Sequence, residues 1–161
     1  MKAKSFLSLF IVIVLCLSPF AVFAETARNA GVITNEEFAI FQNAGYMGLY
    51  GGLDVEDIHK RKGLAVGQKI LDYMGSTELI ANLFRISQTE EKLRKDKVDN
   101  AETATKVHNT VGREVRKAIE EIGGTMPEDL PTPEKSIAQI EREQMKRLKQ
   151  KAKEGTLMLD E

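Results

Sequence analysis

The sequence predicts an all-α fold, a compact bundle of about five helices with a glycine- and tyrosine-rich loop, a proline-rich connector and a charged C-terminal helix. Three observations carry that expectation. Apolar residues recur at helical spacing in two long segments, around residues 79–93 and 104–122. Capping residues stand at the head of several segments, as in Thr34 with Glu37 and Asp99 with Glu102. No run alternates apolar and polar residues in the manner of a half-buried strand.

From the N-terminus, residues 1–24 have the three parts of a secretory signal. A basic start (Lys2, Lys4) is followed by an apolar run from Phe6 to Leu17, then by Ser18-Pro19 and the small-residue ending Val22-Phe23-Ala24. Cleavage is expected between Ala24 and Glu25, giving an exported protein. The alternative is an uncleaved anchor, since Phe6 to Ala24 approaches the roughly 20 residues that span a bilayer. The single cysteine, Cys16, falls inside this leader, so residues 25–161 can form no internal disulfide.

Thr34 and Glu37 then start a short helix through Phe38, Ile40 and Phe41 that is expected to stop near Gly45. The stretch Phe38 to Asp54 continues with Gly45, Tyr46, Gly48, Tyr50, Gly51 and Gly52, read as a flexible loop carrying two rigid rings. Two roles are open to it: a tight turn with Tyr46 and Tyr50 in the core, or an exposed recognition loop. Asp54 caps a second short helix ending at Gly63 after His59, Lys60, Arg61 and Lys62. Those cations complement a helix C-terminus, and together with Lys69 they form a candidate basic patch able to touch phosphate.

A further segment covers Gln68 to Met74. Gly75-Ser76-Thr77 opens a longer helix with Leu79, Leu83, Ile86 and Leu93 on its apolar face, widened by Ile80 and Phe84. The next helix carries the stripe Ala104, Val107, Val111, Val115, Ala118 and Ile122 and ends at Gly123. Gly112 in its middle costs roughly 1 kcal/mol relative to alanine, which points to a close helix crossing. Pro127, Pro131 and Pro133 make an extended connector, and Thr132 with Pro133 is expected to begin a charge-dense last helix reaching Lys153. Residues 25–126 thus form the helical domain and residues 127–161 the connector and tail.

Composition excludes several function classes. The 161 residues carry 23 Lys and Arg against 24 Asp and Glu, a net charge of −1, so no global basic field attracts nucleic acid and any phosphate contact needs a local patch. Two histidines, His59 and His108, are too scattered for a metal site, and His108 reads as a satisfied, half-buried side chain. The glycine pattern follows a helix and lacks Gly-Lys-Ser/Thr, so it is neither a Walker loop nor a dinucleotide loop. With no nucleophile elbow or acid–base pair, the sequence implies a non-enzyme without cofactor.

Four ordered blocks resemble the C-terminal part of the bacterial DNA-damage-inducible protein D family. They are FAIFQNAGYMGLYGGLD (Phe38 to Asp54), IHKRKGL (Ile58 to Leu64), MGSTELIANLFRISQTEEKL (Met74 to Leu93) and GGTMPEDLPTPEKSI (Gly123 to Ile137). The resemblance runs from about Ala24 to Ile140. It implies a cytoplasmic, SOS-regulated, non-enzymatic protein with the RecA filament or single-stranded DNA as partner. Carried over by matching position, its motif residues are Tyr46, Gly48, Tyr50, Gly51, Gly52, His59, Arg61, Lys62, Ser76, Thr77, Glu78 and Arg85. The family's N-terminal Bro-like domain is absent, an export-type leader stands in its place, and Ala44 stands where a histidine is expected. Three readings stay open: a truncated family member tied to the DNA-damage response, an exported helical binding protein with an envelope partner, or a leader that is an artefact of the assigned gene start.

Overall fold

The structure, a computed structural model, describes residues 19–157. It contains six α-helices: α1 (Pro19–Asn29), α2 (Asn35–Leu49), α3 (Val55–Arg61), α4 (Ser76–Lys95), α5 (Ala101–Glu121) and α6 (Ile137–Leu157). Two 3₁₀ turns, Ile70–Tyr73 and Pro127–Asp129, lie between them, and no strand occurs among the described residues. Residues 1–18 of the expected leader lie outside the described residues. Among those described, no helix is long and apolar enough to cross a membrane.

Helix α2 starts as the sequence implies. Thr34 Oγ1 accepts from Glu37 N–H at 3.1 Å while the Glu37 carboxylate accepts from Thr34 N–H at 2.9 Å, a complete capping box. It does not stop near Gly45. It runs on through Gly45, Tyr46 and Gly48 to Leu49, so most of the expected glycine–tyrosine loop is helix. The reason lies in the partner. Gly45 and Gly48 face Gly112 of α5, and this glycine-on-glycine crossing lets the two backbones touch. A Cβ placed on Gly112 would sit 2.8 Å from the Gly45 carbonyl oxygen and 2.9 Å from the Leu49 nitrogen. The entropy lost by ordering glycine in a helix, about 1 kcal/mol each, is offset by the close packing it permits. Only Gly51 and Gly52 form a turn, at φ +66° and +97°, where Gly52 N–H donates to Met47 O at 2.8 Å in a Schellman-type stop.

Helices α2 and α5 make the most extensive contact of the fold, α4 packs on α5, and α1 lies along α4. Two apolar clusters result. One gathers Phe23, Ala27, Val32, Phe41, Ile86 and Leu93; the other gathers Tyr46, Leu49, Tyr50, Ile58, Met74 and Val115. The Ala24–Glu25 bond, expected as a cleavage point, lies inside α1, and Phe23 just before it is buried against Phe41 at 5.4 Å between rings.

Several boundaries and faces differ from expectation. Asn100, not Asp99, caps α5, its Oδ1 accepting from Thr103 N–H at 2.8 Å. Helix α6 starts at Ile137 rather than Pro133, with Ser136 and Gln139 exchanging hydrogen bonds at 2.8 and 3.2 Å. Ile80 and Phe84 are exposed instead of widening the core, because α4 turns Asn82, Arg85, Ile86, Thr89 and Leu93 inward. Ala118 and Ile122, at the end of the predicted α5 stripe, are exposed as well. The connector after α5 is pinned: Glu128 takes a bidentate pair from Arg116 at 2.7 and 2.8 Å, and Arg61 donates to Asp129 Oδ1 at 2.7 Å.

Candidate functional site

A continuous chain of polar side chains crosses the interior between the two apolar clusters. Position and spacing on α4 create it: Glu78, Asn82, Arg85 and Thr89 fall at i, i+4, i+7 and i+11 and so share one helical face. All four are fully buried, as is His108 on α5. At one end Lys62 Nζ donates to Glu78 Oε2 at 2.7 Å, with only 6% of the Lys62 side chain exposed. Tyr50 O–H donates to Glu78 Oε1 at 2.7 Å and accepts from Asn82 Nδ2 at 3.0 Å. Arg85 Nη2 then donates to Asn82 Oδ1 at 3.1 Å, and its Nη1 donates to His108 Nε2. His108 Nδ1 closes the chain by donating to the Phe41 carbonyl at 2.9 Å.

These bonds fix the protonation state. With Nδ1–H committed to a carbonyl and Nε2 accepting from a guanidinium, His108 is the neutral Nδ1–H tautomer. Burial, reinforced by the charge of Arg85, pushes its pKa well below the usual 6.5. Burial lowers Arg85 to about 10, so it stays charged at neutral pH, and the Tyr46 ring faces it at 4.9 Å in a cation–π contact. Arg85 Nε has no hydrogen-bond acceptor among the described residues, although it is buried. Burial raises the Tyr50 hydroxyl, and the Glu78 carboxylate beside it adds to that shift. Both ring nitrogens of His108 are occupied, so it cannot take up a proton without displacing Arg85.

Gly45 belongs to this chain as much as to the helix crossing, since a Cβ there would strike Arg85 Nη1 and the His108 ring. The glycine therefore leaves the room in which guanidinium and imidazole meet. Of the residues expected on a recognition loop, Tyr46 and Tyr50 point inward and are buried, Gly48 lies in the helix crossing, and only Gly51 and Gly52 are exposed. The exposed-loop reading is corrected accordingly: the motif is a core motif.

The basic patch is also dispersed. Lys62 turns inward to Glu78, Arg61 is held by Asp129 and the Glu128 carbonyl, and His59 Nε2 donates to Gln68 O at 2.9 Å. Lys60, Arg61 and Lys69 remain exposed, Arg61 within its surface ion pair. Ser76 and Thr77 are exposed on the first turn of α4, whereas Glu78 and Arg85 join the buried chain. Sequence reasoning missed Asn82 and Thr89 and placed His108 at half depth. The signal was the i, i+4, i+7, i+11 polar row, masked by the leucines beside it. Among the described residues no group of three or more His, Cys, Asp or Glu is placed to hold a metal ion.

Glycine-crossed helices around a buried, hydrogen-bonded polar chain define a helical module whose most specific side chains order its own interior. The chain belongs to the DinD C-terminal domain family, which matches residues 20–140, from the start of α1 to the start of α6. It is 63% identical over 117 residues to the DNA damage-inducible protein D of Escherichia coli (strain K12), an alignment covering 73% of this chain and 43% of that protein. The match thus spans less than half the length of that relative. No solved structure matches the chain.

Proposed function

We propose that this chain is a non-enzymatic helical interaction module linked to the DNA-damage response, and that it modulates RecA filaments on single-stranded DNA. The observation that carries the reading is the 63% identity to DNA damage-inducible protein D, beside a family match over residues 20–140 that takes in the polar chain and the glycine crossing. The geometry supports an interaction role in a second way. The buried titratable groups hold one another, and the cations Arg61 and Lys62 are tied to carboxylates, so the surface is left to recognise a partner. The test adds the full 161-residue chain to RecA and follows single-strand-dependent ATP hydrolysis and strand exchange. The reading expects both rates to change in proportion to the added chain; unchanged rates at large molar excess overturn it.

A second reading rests on the three-part leader: an exported binding protein with an envelope partner. Residues 1–30 fused to a reporter active only outside the cytoplasm decide it. An active reporter supports export, and a silent one removes it. Cleavage after Ala24 would in addition sever α1 and take Phe23 from its contacts with Phe41 and His108.

A further inference from the structure

With a net charge of −1 the chain has no global basic field, and the run from His59 to Lys62 supplies little of a local one, since Lys62 turns inward to Glu78 and Arg61 is paired with Asp129. A local concentration of cations lies instead on α6. From Arg142 to Lys151 that helix carries five Lys and Arg against Glu143 alone, and Glu143 is held by Lys135 at 2.8 Å. The family match stops at residue 140, before the first of these cations.

Three of the five form a ridge. Arg142, Lys146 and Lys149 fall at i, i+4 and i+7, within about 60° of one another around the helix and about 10 Å from first to last along it. All three are exposed, and none forms an ion pair among the described residues. Like charges at these spacings repel and weaken the helix that carries them, so the fold of α6 gains nothing from the arrangement. The helix meets the body at the 3₁₀ turn Ile70–Tyr73, and the ridge stays open to a partner.

What else α6 carries narrows the partner. A lipid surface takes up a continuous apolar face, with aromatic or leucine side chains at its boundary. Here the stripe of Ile140, Met145 and Leu148 is interrupted by Glu141, Gln144 and Lys151, the helix has no aromatic residue, and the ridge is turned away from the stripe. Single strands are held by stacking bases on aromatic rings, which α6 lacks. A duplex keeps its bases inside and presents one phosphate charge for about every 1.7 Å of its axis, a dense row of anions for a row of cations. We propose that the α6 ridge of Arg142, Lys146 and Lys149 binds the phosphate backbone of duplex DNA without regard to sequence. The contact needs no RecA, so it and the RecA reading can fail separately.

The test titrates the full-length chain against a short fluorescent duplex of mixed sequence and follows anisotropy as salt is raised, with RecA absent. Three phosphates neutralised give a log–log slope of about −2.7, so affinity should fall about 20-fold between about 50 and about 150 mM salt. Lys146→Ala with Lys149→Ala removes two of the three cations and should bring the slope to about −0.9. Arg147→Ala with Lys151→Ala removes the same charge from other sides of the helix and should leave the slope unchanged. All four residues are exposed and alanine favours a helix, so both double variants keep the fold, as circular dichroism checks. A parent that leaves the duplex free at low salt overturns the proposal. Equal losses in the two double variants do so as well, since net charge alone would then be at work. So does tighter binding of the unpaired strand than of the duplex, or a chain that sediments with phosphatidylserine vesicles and ignores the duplex, which would assign α6 to a lipid surface.

Discussion

Replacing Gly112 by alanine separates packing from helix propensity, because the two push stability in opposite directions. Alanine in mid-helix gains about 1 kcal/mol over glycine. The added Cβ, however, meets backbone on every side: 2.8 Å to Gly45 O, 2.9 Å to Leu49 N and 3.0 Å to Gly48 Cα. Each distance falls about half an ångström or more short of the roughly 3.5 Å of an ordinary contact. Backbone atoms cannot rotate aside, so α2 and α5 must part by a similar amount. A gap of about 0.5–1 Å forfeits roughly a quarter to a half of the dispersion energy across it. Overpacking of this kind costs about 1–3 kcal/mol, and the upper value applies because α2 on α5 is the largest contact of the fold. Net of propensity, Gly112→Ala should lose about 2 kcal/mol, a fall in Tm of roughly 6 °C for a domain of this size. Urea unfolding followed by far-ultraviolet circular dichroism measures it. Ala118→Gly, at an exposed position of the same helix, should lose about 1 kcal/mol from propensity alone. Gly112→Ala as stable as the parent, or more stable, would refute the crossing.

Three further outcomes follow from the interior. Folded His108 has a pKa held well below the 6.5 it regains on unfolding, so the unfolded state binds more protons and stability falls as pH drops through 6.5, by up to about 1.4 kcal/mol per unit. Urea midpoints in the weakly acidic range, above the region where carboxylates titrate, should show this slope in the parent and lose it in His108→Gln; equal slopes contradict the neutral assignment. Tyr50→Phe strips Glu78 Oε1 of its hydrogen bond, while Asn82 Nδ2 keeps the Glu78 carbonyl at 3.1 Å; the buried carboxylate oxygen left unpaired costs about 1–3 kcal/mol, measured by denaturant unfolding. Phe23→Ala should cost about 3–5 kcal/mol, and a chain beginning at Glu25 should lose at least as much; equal stability of the chain starting at Glu25 and the full chain would show that α1 contributes nothing to the core.

The all-helical class, the order of helices from Thr34 onward and the caps at Thr34 and Asp54 were legible because each rests on local chemistry: periodicity and side-chain-to-backbone bonds within four residues; helix α1 was not, since its residues read as the end of a leader. The crossing at Gly112 was legible too, since a glycine in a strong helix asks for a tertiary reason. The path of Gly45 to Leu49 was not. Glycine usually breaks a helix, and the force that keeps this one going comes from α5, more than 60 residues away. The same separation hid the site. Glu78, Asn82, Arg85 and Thr89 stand beside Leu79, Leu83 and Phe84, and nothing local marks them as buried. Their partners Lys62, Tyr50 and His108 come from three other parts of the chain. The pairing within the basic run was hidden for a related reason: adjacency in sequence put Arg61 and Lys62 together, while their carboxylates, Asp129 and Glu78, lie in separate segments.

Direct binding of the full 161-residue chain to RecA filaments tests the functional account most simply. With RecA assembled on a fluorescent oligothymidylate, addition of the chain should change anisotropy saturably, and Phe23→Ala, which disturbs the core rather than the surface, should bind in proportion to its folded fraction. An anisotropy unchanged at large molar excess of folded chain, whether the chain adds nothing or binds only the bare oligonucleotide, would contradict it.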